Sequence, residues 1–191
     1  MPRTANKTLY LTFDDGPHPR ITTFVLDVLR KYNAKGTFFC IGKNVVEHPE
    51  TYQYILDEGH SIGNHTHNHL NGWKTPVNDY VQNVRLAGDY IHSPLFRPPY
   101  GRLTSEQAKY LQQLTIGNQE PKIIMWSLLS GDFDTNISGE KCWQNIYKNT
   151  KDGDIIVFHD SEKAAERLYT ALPNTLAYFS AKGFTFSGLP L

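Results

Sequence analysis

Cysteine is scarce, with two in 191 residues. Cys40 lies in an apolar run and Cys142 on a helical pattern. Neither has a CxxC partner, which argues against a zinc or redox site built on thiolates, and both are expected to behave as small buried hydrophobes. Net charge is also missing, because 19 basic residues balance 19 acidic ones. No net field therefore draws nucleic acid or an anionic membrane, and a neutral or mixed-charge ligand fits better. No run approaches the roughly 18 apolar residues of a membrane span. The polar stretch Met1 to Thr8 lacks the apolar centre of a secretory signal, so the chain as given reads as soluble, cytoplasmic as it stands, or in the cell envelope or secreted if a leader was removed. There is no linker, internal repeat or low-complexity stretch. Nothing in the sequence speaks to oligomeric state.

What is present alternates. Strand-like runs fall at Leu9 to Asp14, Gly36 to Ile41, Ser61 to Asn64, Leu95 to Arg97, Lys122 to Leu128, Asp154 to His159 and Gly183 to Phe186. Amphipathic helical segments lie between them, around 21–32, 49–58, 77–91, 104–114, 140–150 and 162–181. Pro173 is expected to split or kink the last. Thr104 and Gln107 form a capping box, Ser138 is an N-cap, and Gly59 and Gly183 stand where helices stop. The loop at 117–121 reads as surface. Such alternation predicts an α/β fold with a parallel sheet. The whole chain, 1–191, is expected to be one domain, with residues 1–8 a short extension. Polar residues collect at the C-terminal ends of different strands, as in a (β/α) barrel, rather than at the single switch point of an open sheet.

Asp14 and Asp15 end an apolar strand and precede Gly16-Pro17, so the chain turns and presents two carboxylates at a barrel mouth. His65 and His69, in His65-Thr66-His67-Asn68-His69, are brought together by a turn. With one carboxylate they make a metal-ligand set, leaving the other to act as a base. Arg97, in Arg97-Pro98-Pro99-Tyr100, can clamp a buried carboxylate. Asp132 and His159 complete the set, and a nearby carboxylate would raise the pKa of His159 and keep it protonated as an acid. His67 is left outside the ligand set and His18 could edge the cleft. Trp126 is assigned to the core from its place in a strand run, while Trp73 and Trp143 are core or sugar platforms.

In order along the chain, Thr12 to Pro17, His65 to His69, Arg97 to Tyr100, Asp132-Phe133 and Val157-Phe158-His159 resemble the five motifs of the polysaccharide deacetylases of carbohydrate esterase family 4, the NodB homology domain. That resemblance implies a distorted seven-stranded (β/α) barrel that removes acetate from N-acetylated amino sugars of a peptidoglycan- or chitin-like carbohydrate. It implies one divalent ion, Zn2+ before Co2+, held by Asp15, His65 and His69. Asp14 would be the base, oriented by Arg97. The Tyr100 backbone N–H would stabilise the oxyanion, and His159 paired with Asp132 would be the acid. Phe133 and Val157 would line the groove and the acetyl pocket. The chain departs from the family pattern at Leu129 and Phe133, where Asp and Trp are usual, and at Val157, where Leu is usual. Competing expectations are another C–N amide hydrolase with a closed pocket, a catalytically idle carbohydrate-binding barrel, and a glycosidase. The last is weakened by the divergence of adjacent side chains at a strand end.

Overall fold

Runs that are apolar on both faces suit strands buried between helices, and the two longest such runs become neighbours inside one sheet. The computed structural model describes residues 7–114 and 120–190. Its strands are β1 Thr8–Asp14, β2 Thr37–Cys40, β3 Ser61–Asn64, β4 Leu95–Phe96, β5 Lys122–Ile123, β6 Leu128–Leu129, β7 Ile155–His159 and β8 Thr185–Phe186. The helices are α1 Ile21–Lys31, α2 Gly42–Glu47, α3 Pro49–Asp57, α4 Val77–Gly88, α5 Ser105–Leu111, α6 Gly139–Asn149 and α7 Ala165–Ala181. None is long and apolar enough to cross a membrane.

All strand pairings are parallel, in the order β5-β4-β3-β2-β1-β7-β6, with β8 against the start of β1. The register sets Asp14 level with His159 on one side and with Phe39 on the other. Phe13, buried below them, stacks on Phe38 at 4.9 Å and on Phe158 at 6.0 Å, so one aromatic row binds three adjacent strands. β1 begins at Thr8, one residue inside the stretch expected as an extension.

The single strand expected over 122–128 is two short ones. β5 pairs with β4 at one edge of the sheet and β6 with β7 at the other. Seven strands laid flat would hold those edges about 29 Å apart. The five residue steps from Ile123 to Leu128 reach about 18 Å at most. The sheet must therefore curl, and it forms the distorted, incompletely closed barrel expected from the polar residues at the strand ends and from the family resemblance.

The helix caps follow their chemistry. Thr104 Oγ1 accepts from Gln107 N–H while Gln107 Oε1 accepts from Thr104 N–H, and Ser138 Oγ accepts from Lys141 N–H. Gly59 and Gly183 take φ of +71° and +77° just beyond α3 and α7. Pro173 sits inside α7 without dividing it. The six-residue α2 has no counterpart among the predicted elements, because two β-branched valines in so short a stretch carry no helical signal. Both cysteines are buried and free. The first three residues of the loop expected at 117–121 lie outside the described residues, and Pro121 is buried. Because Thr104→Ala removes the Oγ1 that accepts from Gln107 N–H, it is expected to lower stability by about 1 kcal/mol, measured as a lower urea midpoint with an unchanged slope.

Candidate active site and metal centre

Arg97 leaves β4 into the sheet's interior and is fully buried. Burying a guanidinium is tolerable only when its donors are met. Its Nη1 donates to Asp14 Oδ1 at 2.7 Å and to Thr12 Oγ1 at 2.8 Å. Nε and Nη2 donate to the carbonyls of Ile124 and Met125 at 3.2 and 3.3 Å, and the guanidinium lies 4.0 Å from the Phe39 ring centroid. Thr12 in turn donates to the Ile156 carbonyl at 2.9 Å. Asp14, itself buried, is thus held by one oxygen.

Asp15 follows with φ +82°, a left-handed conformation that aspartate tolerates better than most residues. This ends the pleat, and both carboxylates line the same cleft. The expectation that adjacent strand-end side chains diverge is corrected here, since it holds only while the backbone stays extended. The Gly16–Pro17 bond is cis. Asp160, fully buried, accepts from Gly16 N–H at 3.0 Å and from Thr22 Oγ1 at 2.5 Å. Burial, with the Asp15 and Asp14 charges nearby, pushes its pKa up to about 7 against the Thr22 hydrogen bond. A Cβ on residue 16 would collide with that carboxylate, so only glycine fits.

His65 and His69 come from the loop after β3. Asn64 Oδ1 accepts from Thr66 N–H, Asn83 Oδ1 from the N–H groups of His67 and Asn68, and Thr66 Oγ1 from Leu70 N–H. Thr66 and His69 have φ of +64° and +54°. His65 Nδ1 donates to the Arg97 carbonyl at 2.8 Å, which leaves Nε2 as a lone-pair donor. Burial outweighs the nearby carboxylates and lowers its pKa to about 4, so the ring stays neutral.

The ligand atoms of Asp15, His65 and His69 lie within 4.8 Å of one another. Asp15 Oδ1 is 3.1 Å from His69 Nε2 and 3.6 Å from His65 Nε2, yet it is buried with no hydrogen-bond partner. Burial would raise its pKa, but the close His69 imidazole and the His159 charge hold it far below the usual carboxylate range. A charged oxygen without a donor, facing two imidazoles, fits a divalent cation.

Across the cleft, Asp132 grips His159 with both oxygens, accepting from His159 N–H and from Nδ1, each at 2.7 Å. Burial alone would depress the His159 pKa. The Asp132 charge and hydrogen bond, with Asp15 and Asp14, override it and raise it to about 9. Arg167, nearly buried on α7, donates to the Asp132 carbonyl at 2.8 Å.

The cleft between them, about 420 Å³, is also lined by Tyr100, Phe133, Val157, Leu129 and Trp126. All ten residues expected at the site meet here or directly behind it. Trp126, assigned to the core from the sequence, is instead half-buried and lines the cleft, because the break between β5 and β6 takes it out of the sheet. His18 stays outside the cleft and caps α1, its Nδ1 accepting from the N–H groups of Arg20 and Ile21. His67 packs on Tyr90 at 5.9 Å, away from the ligand set. Trp143 packs among Tyr147, Tyr178 and Phe179, and Trp73 is 65% exposed beside Arg102. Thr12, Asn64, Asn83, Asp160 and Arg167 were not singled out from sequence. Asp160 alone had a local signal, a second acidic group directly after His159.

The family profile described as "Polysaccharide deacetylase" matches residues 2–118. A peptidoglycan-N-acetylglucosamine deacetylase of Bacillus cereus is 35% identical, covering 94% of this chain and 85% of that one. A chitooligosaccharide deacetylase of Azorhizobium caulinodans is 28% identical, covering 96% and 93%. Among solved structures, the peptidoglycan deacetylase PdaC of Bacillus subtilis superposes with a TM-score of 0.84 at 26% identity, over 97% of this chain and 89% of that one.

The geometry separates the two aspartates. Asp15→Ala or His69→Ala is expected to abolish the visible absorption of bound Co2+, whereas Asp14→Asn keeps it; titration of the purified variants with Co2+ reads the difference.

Proposed function

The chain belongs to the polysaccharide deacetylase family, and from that membership and the site's geometry we propose that it hydrolyses the N-acetyl amide of amino sugars in a peptidoglycan- or chitin-like glycan, releasing acetate. One observation carries the mechanism: a carboxylate outside the ligand set, Asp14, shares a cleft with the Asp15, His65 and His69 cluster on one side and the His159–Asp132 pair on the other. The fold is common to deacetylases, and the three groups are what hydrolysis needs.

Asp15, His65 and His69 would hold the ion, for which Zn2+ suits one carboxylate and two imidazoles, with Co2+ able to substitute. When bound it supplies Lewis acidity to the acetyl carbonyl and acidifies water. The rest falls to the chain. Arg97 fixes Asp14 through Oδ1, so the other oxygen takes the proton as water adds to the acetyl carbon. The turn at 99–101 spends its hydrogen bonds on Gly101 N–H to Pro98 O and Arg102 N–H to Pro99 O. The Tyr100 N–H, at a residue with φ +60°, is thereby available to the developing oxyanion. As the C–N bond breaks, the leaving nitrogen takes its proton from His159 Nε2, the nitrogen that Asp132 does not hold. Val157 and Phe133 flank the acetyl group and the sugar.

The carboxylate pair does not serve a glycosidase, because Asp14 is committed to Arg97 and Asp15 to the histidines. A closed small-amide pocket is not supported either, since Tyr100, Leu129 and Phe133 are exposed along an open rim. Asp14→Asn should reduce acetate release by roughly 100-fold or more while Co2+ binding persists; full activity would sink the assignment. His159 works protonated, so activity should persist below its pKa of about 9 and fall above it. Asp132→Asn removes the main effects raising that pKa, so the alkaline limb of the kcat/KM profile should move to lower pH, toward the ordinary histidine value of 6.5 or beneath it. A limb that stays in place would remove His159 from the acid role.

A further inference from the structure

Among the residues lining the cleft, the carboxylates are Asp14 and Asp15, and the strong cations are Arg102 and Lys163. The two signs are not equally free. Asp14 is neutralised by buried Arg97, and Asp15 belongs to the ligand cluster. Arg102 and Lys163 have no ion-pair partner among the described residues. The acidic neighbours of Lys163 are turned elsewhere: Glu162 toward His18 and Arg20, and Glu166 toward Arg167. A chain of zero net charge thus leaves two uncompensated positive charges facing its substrate groove.

Both cations stand on fixed bases. Arg102 lies 4.9 Å from the Trp73 ring, and its N–H is bonded to Pro99 O at the end of the Tyr100 turn. Trp73 is held in turn, since Gln107 Nε2 donates to the carbonyls of Gly72 and Thr75 on either side of it. Lys163 is set by Arg167, whose guanidinium donates to both the Lys163 and the Asp132 carbonyls. One cation therefore follows the oxyanion turn after β4, and the other follows the acid after β7. In the sheet those strands are separated by β3, β2 and β1, so the cations flank the reaction centre from opposite walls.

We infer that Arg102 and Lys163 are specificity residues that recognise carboxylates on the glycan next to the reacting sugar, so that the enzyme prefers an N-acetylated polymer bearing carboxylates over a neutral one. The inference rests on the deacetylase reading and adds the charge class of the substrate. Two cations flanking a groove attract an anion and fix its register, and a guanidinium stacked on an indole keeps its fork for a carboxylate.

The test compares chitotetraose with a tetrasaccharide of the same length that alternates N-acetylglucosamine with N-acetylmuramic acid carrying free lactyl carboxylates. Acetate release gives kcat/KM for each. The wild type should favour the anionic oligomer. Arg102→Gln and Lys163→Gln should each lower the anionic-to-neutral ratio by roughly tenfold, mostly through KM, whereas Arg102→Lys should keep most of it. Raising salt from about 0.02 M to about 0.5 M should shrink the wild-type ratio. An unchanged ratio in both glutamine variants, or a wild type that prefers the neutral oligomer, overturns the inference while leaving the deacetylase reading intact. A wild type that releases acetate from neither oligomer overturns that reading instead.

Discussion

The buried guanidinium of Arg97 is the interaction on which the site depends. A charge with no solvent contact must have its donors met by partners in fixed places, and here those partners come from two separate stretches of chain. Asp14 and Thr12 belong to β1, and the carbonyls of Ile124 and Met125 to the crossing between the sheet's edges. The Arg97 carbonyl meanwhile holds His65 Nδ1. A single residue therefore orients Asp14, the proposed base, fixes the tautomer of His65 and ties down the segment that closes the barrel. The ion pair's value lies in this geometry, because buried pairs add little net stability of their own.

Backbone strain is concentrated in the same place. Five non-glycine residues among those described have positive φ, and four of them, Asp15, Thr66, His69 and Tyr100, sit in the site's loops. Such conformations cost of order 1–3 kcal/mol each, and they persist because buried polar side chains over-determine them. Asp160 holds the turn after Asp15, Asn83 and Asn64 hold the histidine loop, and prolines fix the approach to Tyr100. The bent backbone brings Asp15, His69 and Tyr100 to the cleft.

The fold was readable where the signal is local. Apolar runs and caps place most helices and strands, and the strand ends locate Asp14, His65, Arg97 and His159. What escaped was non-local. Lys122 to Leu128 looks like one strand because nothing in it records that its two ends pair at opposite edges of the sheet. The same break carried Trp126 out of the core and into the groove. Thr12, Asn83 and Arg167 look like ordinary strand and helix residues, since the partners that tie them to the site, Arg97, His67 and Asp132, lie 85, 16 and 35 positions away in sequence. Arg102 and Lys163 differ again: a basic residue in a loop is unremarkable until the acidic groups around it are seen to be taken.

The segment from Ile124 to Ser127 does two jobs with one set of carbonyls. It joins the edges of the curled sheet, and it supplies acceptors to the arginine behind the base. Closure and competence are therefore one event. A chain still emerging from the ribosome, or one cut between β4 and β5, has both aspartates and both histidines but an arginine with half its acceptors missing. Such a chain also lacks Asp132 and His159, so the pieces of the cleft are complete together only when the last strands are in place.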